Sequence, residues 1–305
     1  MIGSEDTTLT GDESAETQKL PTFRPGTLSA NVLVDIAAVS HQGLVRTNNE
    51  DSFLVTTLER RMSTLLTNLP ASQISQTYRE VAYGMIVADG MGGHAAGEVA
   101  SRTAISNLVD LVIETPDWIM RLDEERTARV LKRTEERIMK LAEALNEAAE
   151  INPDLSGMGT TLTLAVSLGA DLLIAHVGDS RAYLFTEGQL VRLTKDQTMA
   201  QLLADLGVIS TDDVVRHRAQ HVLTSAIAAA DLKIEVELHH LRLANNDQLL
   251  LCSDGLTDMV ADDYIKAILQ RNNTAAEGCQ ALVDSALAGG GKDNVTVVLA
   301  KYEIP

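Results

Sequence analysis

Four short segments of this 305-residue chain each contain acidic residues beside an apolar, strand-like run. The segments are Arg46–Asp51 (RTNNED), Ala88–His94 (ADGMGGH), Ser253–Asp258 (SDGLTD) and Gly291–Asn294 (GKDN). In each, the acids lie where the run meets a loop that contains Gly or Asn. Carboxylates at such strand ends offer hard oxygen ligands, which suit Mg²⁺ or Mn²⁺ better than zinc. The pattern predicts a site for divalent cations.

Asp89, in the second segment, carries the strongest single signal. A carboxylate at the end of a strand can bridge two cations, and Gly90 allows its own carbonyl to approach a metal closely. The alternative is a Gly-rich turn from strand to helix in which Asp89 is only a cap. The other three acidic segments favour the metal site over that alternative.

Composition excludes several classes of function. The net charge of −18 argues against nucleic acid or an anionic membrane as a main partner. The two cysteines, Cys252 and Cys279, are too few and too far apart for a disulfide framework or a zinc site. We find neither a signal-peptide pattern nor an apolar run of membrane-spanning length, so we expect a cytoplasmic protein.

The elements that must position the acids are strands in consecutive runs with tight turns. Such runs predict mostly antiparallel pairing, with helices on the outer faces. Residues 1–28 are predicted to be a flexible acidic tail, with a docking tail as the alternative, and residues 29–305 one catalytic domain. Predicted strands are 32–39, 52–57, 81–88, 160–167, 172–177, 182–185, 234–243, 248–253 and 295–302; predicted helices begin near 95 and cover 122–150 and 261–287. Residues 59–80 are predicted to be an exposed connection, and 195–230 a helix-like, irregular segment.

Six segments, in order, resemble the protein phosphatase 2C family of metal-dependent serine/threonine phosphatases, especially its compact bacterial type. The resemblance spans about residues 32–303 and implies an α+β fold. That fold is a four-layer α-β-β-α sandwich in which two mostly antiparallel sheets are flanked by helices. The matching segments are RTNNEDSF (46–53), VADGMGGHAAGE (87–98), GMGTT (157–161), VGDSR (177–181), LLCSDGLTD (250–258) and GKDNVT (291–296).

The resemblance implies a catalytic centre with two Mn²⁺ or Mg²⁺ ions. Asp89 would bridge both ions, and the Gly90 carbonyl would bind one of them. Asp254 and Asp293 would bind the other ion. A water shared by two such ions has a lowered pKa and would attack phosphorus in line.

Further roles follow from the same resemblance. Glu50 and Asp51 would hold metal-bound waters, directly or through other groups. Arg46 stands at the family's phosphate-binding position, and its planar guanidinium suits two phosphate oxygens. The alternative for Arg46 is a surface arginine paired with a nearby acid.

The sequence departs from the family pattern at the general acid and at the third metal. Met91 stands where animal relatives carry a histidine that could protonate the leaving group. Asp258 matches one acid of a third, looser metal site, but Ser156 occupies the position of the other, with Asp154 two residues upstream. The resemblance therefore does not extend to a complete third site.

Three other segments are interpreted as support or as a substrate flap. Asp179 in VGDSR is predicted to be a mainly structural acid that ties turns together. Asn294 is expected to support Asp293 and the local turn. The segment after residues 195–198 is a variable flap in the family, and Val222–Ile227 lacks the arginine that often follows its Leu-Thr.

The predicted function is hydrolysis of phosphoserine and phosphothreonine in proteins, opposing a bacterial-type serine/threonine kinase. The expected partners are phosphorylated proteins, including such a kinase or its substrates, with no nucleic acid or membrane, and the chain is expected to be a monomer. One alternative is a phosphatase fold that is catalytically inactive and serves as a scaffold. Another is a partner-switching phosphatase that acts on one dedicated regulator.

Overall fold

Two β-sheets form the centre of the part of the chain that a computed structural model describes, which is residues 31–92, 96–114, 124–228 and 233–305. The predicted tail 1–28 and His94 lie outside these residues, so the predicted domain boundary stays a prediction. The strands are β1 Leu33–His41, β2 Asp51–Ser63, β3 Thr77–Met91, β4 Gly159–Thr160, β5 Leu162–Leu168, β6 Asp171–Val177, β7 Arg181–Thr186, β8 Gln189–Arg192, β9 Ile227–Ala228, β10 Glu237–Arg242, β11 Gln248–Cys252 and β12 Val295–Glu303. The helices are α1 Ala96–Glu114, α2 Glu124–Ile151, α3 Met199–Asp205, α4 Asp254–Thr257, α5 Asp262–Arg271 and α6 Ala275–Ala288.

The strands pair antiparallel throughout both sheets. The five-stranded sheet has the order β1-β12-β11-β7-β8. The seven-stranded sheet has the order β10-β6-β5-β3-β4-β9, with β2 paired to β3. This arrangement confirms the predicted antiparallel pairing.

Three apolar clusters hold the layers together. Between the sheets, Met85 and Val87 of β3 pack with Leu249 and Leu251 of β11, all fully buried. The outer face of the five-stranded sheet packs on α5 and α6, and that of the seven-stranded sheet packs on α1 and α2. Since alternate residues of a strand point to opposite faces, each central strand supplies both an inner and an outer cluster. The result is the predicted four-layer α-β-β-α sandwich.

The strands β2 and β3 are longer than predicted. The exposed connection predicted over 59–80 is wrong at both ends, because the hairpin pairing runs from Asp51↔Asp89 to Ser63↔Thr77. Its outer part is exposed on β2, so it lacks the apolar alternation from which a half-buried strand is recognised. Only residues 64–76 form the connection.

The helix predicted over 261–287 is two helices, α5 and α6. The single turn of α4 precedes the predicted range, and α5 begins at Asp262 and ends at Arg271. Thr274 then caps α6 in a reciprocal capping box with Glu277, which starts a new helix. The end of α5 at Arg271 and the cap at Thr274 thus divide the predicted helix.

The segment predicted to be helix-like over 195–230 contains little α-helix. It holds α3, a 3₁₀ helix over Thr211–Arg216 and the short strand β9. The strand predicted over 234–243 begins only at Glu237, because the backbone N–H of Glu235 bonds the Ser225 hydroxyl and its carbonyl accepts from Gln197. Within the described ranges, no helix combines the length and apolar composition that crossing a bilayer requires.

Candidate active site

Acids from both sheets meet at one end of the sandwich. Asp51 begins β2 and lies opposite Asp89 near the end of β3, as its cross-strand partner. From the other sheet, Asp254 begins α4 directly after β11, and Asp293 lies two residues before β12. Antiparallel pairing places these four strand ends on the same side of the molecule, so distant acids of the sequence become neighbours.

A cavity of about 620 Å³ opens at this end. Seven of the eight predicted site residues line it: Arg46, Glu50, Asp89, Gly90, Asp254, Asp258 and Asp293. The eighth, Asp51, lies against Ser253 and lines a neighbouring cavity between β2 and α1. The structure therefore brings the predicted residues together in one region.

Asp51 is only 7% exposed, and one of its two carboxylate oxygens has a hydrogen-bond partner. Its Oδ2 accepts a 2.7 Å hydrogen bond from the Ser253 hydroxyl, whereas its Oδ1 has no partner among the described residues. Burial raises the pKa of Asp51 to about 7, and the charges of Asp254 and Asp293 add to the shift. A buried carboxylate oxygen without a partner is costly, and a cation or its water ligand would remove that cost.

Asp89 is held at its backbone, which leaves its carboxylate free to face the cavity. Its N–H donates to the Thr161 hydroxyl at 2.9 Å, and its carbonyl accepts from the Thr160 hydroxyl and the Thr161 N–H. Burial raises the pKa of Asp89 well above its usual range, and the charges of Asp51 and Asp254 raise it further. Neighbouring carboxylates raise each other's pKa, and a bound cation would lower these pKa values again, so such a cluster is typical of a cation site.

Two glycines permit the backbones to approach closely at the site. A Cβ on Gly90 would lie 2.1 Å from the Gly97 carbonyl oxygen of α1. A Cβ on Gly255 would lie 1.9 Å from the Asn294 carbonyl oxygen, so only glycine lets α4 pack against the start of β12. These contacts fix the positions of the neighbouring Asp89, Asp254 and Asp293.

Asn294 fixes the loop that carries Arg46 and Glu50. Its amide nitrogen donates to the carbonyls of Gln42 and Asn48, and its amide oxygen accepts from the Glu50 N–H, each at 2.8 Å. Support of Asp293 was expected from Asn294, and it is the backbone N–H of Asn294, not its side chain, that donates to Asp293 Oδ1. The side chain thus connects the phosphate-binding candidate to the acids.

Arg46 lies at the mouth of the cavity, with about half of its side chain exposed. Its Nη2 donates to Asp293 Oδ2 at 2.5 Å. The alternative stated for Arg46, pairing with a nearby acid, therefore describes one of its contacts, but that acid is itself a site residue. Glu50 faces the same opening, and burial raises its pKa.

The structural role predicted for Asp179 is not supported by its contacts. The side chain is buried and lines the cavity, yet no hydrogen bond ties it to another turn within the described residues. Burial raises the pKa of Asp179 well above its usual range, and Asp254 raises it further. Asp154 and Ser156 are exposed and do not line this cavity.

His221 is the residue of the site that the sequence did not reveal. It lies in the flap between α3 and β9, with Nδ1 3.4 Å from Asp254 Oδ2 and Nε2 3.4 Å from Asp258 Oδ2. Contact with Asp254, and then the charge of Asp258, raises the pKa of His221 to about 9. Burial raises the pKa of Asp258 to about 6. A single histidine in an irregular polar segment has no spacing pattern that could identify it.

The donors present fit hard divalent cations. Carboxylates of six acids face the cavity, and three cationic side chains, Arg46, His221 and Lys292, line it. Oxygen donors of this kind suit Mg²⁺ and Mn²⁺, with Gly90 offering a backbone carbonyl. The orphaned Asp51 Oδ1 indicates that a partner belongs beside it.

Comparison with known proteins connects this site to one family. The model of the family described as protein phosphatase 2C matches residues 71–287. The chain is 37% identical over 264 residues to the serine/threonine protein phosphatase PstP of Mycobacterium tuberculosis, covering 87% of this chain and 44% of PstP. It is 38% identical to the serine/threonine phosphatase stp of Listeria monocytogenes, covering 72% of this chain and 84% of that protein.

A solved structure shares the fold. The catalytic domain of PstP in complex with two manganese ions aligns with a TM-score of 0.68 at 35% identity, covering 89% of this chain and 99% of that domain. The present chain therefore spans less than half of full-length PstP but nearly all of its catalytic domain. The family match, the relatives and the shared sandwich agree: the chain belongs to the protein phosphatase 2C family.

Proposed function

We propose that this chain is a metal-dependent phosphoprotein phosphatase that hydrolyses phosphoserine and phosphothreonine. The proposal includes two Mn²⁺ or Mg²⁺ ions as cofactors, as the PstP catalytic domain holds two manganese ions. The observation that carries it is the meeting of Asp51 and Asp89 from one sheet with Asp254 and Asp293 from the other. No acid of the predicted core is lost, which speaks against an inactive scaffold.

Asp89, Asp254 and Asp293, with the Gly90 carbonyl, are the residues that would hold the ions. When bound, two such cations neutralise phosphate charge and supply a water of lowered pKa. Glu50 and Asp51 would orient waters at the edge of the centre, and the free Asp51 Oδ1 is placed to accept one hydrogen bond. Ser253 keeps Asp51 in that orientation through its 2.7 Å bond to Oδ2.

Arg46 would bind the phosphate of the substrate. Its planar guanidinium can donate two parallel hydrogen bonds to phosphate oxygens, and its contact with Asp293 aims it at the metal ligands. Lys292 lines the same opening and adds positive charge beside an otherwise acidic cavity. Met91 also lines the cavity and has no proton to give, so protonation of the leaving oxygen falls to water or another group.

The cavity opens to solvent beside Arg46, which suits a phosphorylated side chain presented on an exposed segment of another protein. We propose that the physiological substrates are phosphorylated proteins, and that the chain opposes a serine/threonine kinase in a bacterial-type signalling system. The names of the relatives support the class of substrate, since both are serine/threonine phosphatases.

The test is hydrolysis of para-nitrophenyl phosphate and of a phosphothreonine peptide by the purified chain with Mn²⁺. We expect turnover that depends on Mn²⁺ and falls to background in Asp89→Ala. Wild-type activity no higher than that of Asp89→Ala, across metals and pH, would contradict the proposal.

A further inference from the structure

His221 places an imidazole among acids of the cavity from a segment outside the four acidic motifs. One ligand atom from each of Asp179, His221 and Asp254 lies within 4.8 Å of the other two. Two ligand atoms on opposite sides of one cation lie roughly 4.0–4.6 Å apart, which is twice a typical metal–ligand distance. These three atoms are therefore close enough together to contact one ion.

Asp179 supplies the second, independent observation. Its side chain is 8% exposed, lines the cavity and has no hydrogen-bond or ion-pair partner among the described residues. The nearby Arg181 is engaged elsewhere, because its Nε and Nη2 donate to Asp196 at 3.0 and 2.7 Å. The charges of His221 and Arg181 offset only part of the cost of burying this carboxylate, since its pKa stays well above the usual range, and a cation in the cavity would offset the rest.

The nature of the donors distinguishes this position from the core of the proposed two-metal centre. That core is built from oxygen donors, whereas here an imidazole nitrogen joins two carboxylates. An imidazole nitrogen binds Zn²⁺ and Co²⁺ more strongly than Mn²⁺, and it binds Mg²⁺ least. Mg²⁺ takes oxygen ligands and keeps several of its waters.

We propose that His221 contributes a nitrogen ligand to a further cation position formed with Asp179 and Asp254, and that this ligand makes the position select transition-metal ions over Mg²⁺. The inference rests on the proposed function only through Asp254, which both sites share. It assigns to the flap of this chain a role in metal selection, in addition to any contact with substrate.

The backbone around His221 is built to hold the imidazole in place. The neighbouring Val222 carbonyl accepts from the Met199 N–H at 2.7 Å, and Thr224 donates its N–H to the Gln197 carbonyl at 2.8 Å. These bonds tie the flap to the residues that follow β8. His221 therefore projects from an anchored strand-like segment and not from a free loop end.

The experiment is to count Mn²⁺ bound by the metal-free full chain with electron paramagnetic resonance, and to measure displacement of Mn²⁺ by Mg²⁺. We compare the wild type with His221→Gln and Asp179→Asn. His239→Gln is the matched control, since His239 pairs with Glu237 at 2.7 Å outside the cavity. Pulsed measurements on bound Mn²⁺ report nitrogen coupling directly.

We expect the wild type and His239→Gln to show nitrogen coupling that His221→Gln lacks. In His221→Gln, the most weakly bound Mn²⁺ should bind about tenfold less tightly, while the affinity for Mg²⁺ is unchanged. In Asp179→Asn, the affinities for both Mn²⁺ and Mg²⁺ should fall. Absence of nitrogen coupling in the wild type, or an unchanged preference for Mn²⁺ in His221→Gln, would overturn the proposal and leave His221 as a simple ion-pair partner of the acids.

The two proposals fail differently. If two tightly bound Mn²⁺ and Asp89-dependent hydrolysis persist without nitrogen coupling, only the role of His221 is refuted. If no Mn²⁺ binds in an Asp89-dependent way, the two-metal centre is refuted, and the His221 position falls with it through Asp254.

Discussion

Asp51 and Asp89 face each other across β2 and β3 as a register pair, so two carboxyl groups lie together at the open end of the hairpin. Burial is the largest cause of the raised pKa of each acid, and the Asp51 charge adds to the shift at Asp89. Without a cation, the pair holds protons at a pH where isolated aspartates are fully ionised. This relationship makes metal binding and proton release a single coupled event.

The first prediction is that Mn²⁺ binding releases protons. Because the pKa of Asp51 is raised to about 7 and that of Asp89 is also raised, at pH 6.5 an ion must displace on the order of one proton. Apparent affinity should therefore increase as pH rises from 6 to 8. Calorimetric titrations in buffers of different ionisation enthalpy measure the release, and heats that do not depend on the buffer would contradict it.

The second prediction concerns the stability of the metal-free protein. Asp51 has a folded-state pKa of about 7 against an ordinary 3.8, so between these values the folded state retains a proton that the unfolded state has lost. The free energy of unfolding therefore falls as pH rises through this window. Thermal denaturation in chelator should show a lower Tm at pH 8 than at pH 5.5, and a shallower decline in Asp51→Asn.

The control for this series is Asp284→Asn, which changes an exposed acid on α6 whose carboxylate accepts a hydrogen bond from Gln280 in the same helix. It should keep the wild-type slope. Identical slopes for wild type and Asp51→Asn would show that Asp51 does not hold the proton.

The third prediction is that Arg46 binds the substrate phosphate. Arg46→Ala should lower kcat/KM by about 10- to 100-fold, since a charge-assisted pair of hydrogen bonds is lost, and Arg46→Lys should recover only part of it. Mn²⁺ stoichiometry should be unchanged. Arg79→Ala serves as the control, because Arg79 pairs with Glu59 on the exposed hairpin, far from the acids in the sheet register. Equal kinetics in the two alanine variants would refute this role.

The fourth prediction concerns Gly255. A methyl group there would lie 1.9 Å from the Asn294 carbonyl oxygen, so α4 must move away from the start of β12. We expect Gly255→Ala to cost about 1–3 kcal/mol of stability and to weaken Mn²⁺ binding, since Asp254 moves with the helix. Gly84→Ala is the comparison, because its methyl would meet only a Thr56 methyl at 3.1 Å. A Tm for Gly255→Ala equal to that of Gly84→Ala would exclude the clash.

Much of the fold could be predicted because apolar periodicity reports burial. The runs at Leu249–Cys252 and Val295–Tyr302 are buried on both faces, and both were predicted as strands within one or two residues. The outer half of the β2–β3 hairpin could not be found in this way, since its residues are exposed and held by backbone pairing. Backbone pairing between exposed strands does not require apolar side chains, so the residue types do not reveal it.

The acids of the site could be located, but not all of their neighbours. Asp89 and Asp254 stand in short motifs whose glycines and flanking strands are visible along the chain. His221 and Asp179 meet Asp254 only because the flap crosses over the strand ends, and that path depends on contacts such as the Thr198↔Leu223 bridge. Proximity of this kind belongs to the tertiary structure.

The origin of the acids in both sheets has a mechanical consequence. Asp51 and Asp89 belong to the seven-stranded sheet, whereas Asp254 and Asp293 follow or precede strands of the five-stranded sheet. Ions shared among them would join the two sheets at one end, as a removable cross-link across the apolar layer. Chelation would then remove that cross-link together with the cofactors, and the two sheets would be joined at this end by their own contacts, such as the 2.7 Å hydrogen bond from Ser253 to Asp51.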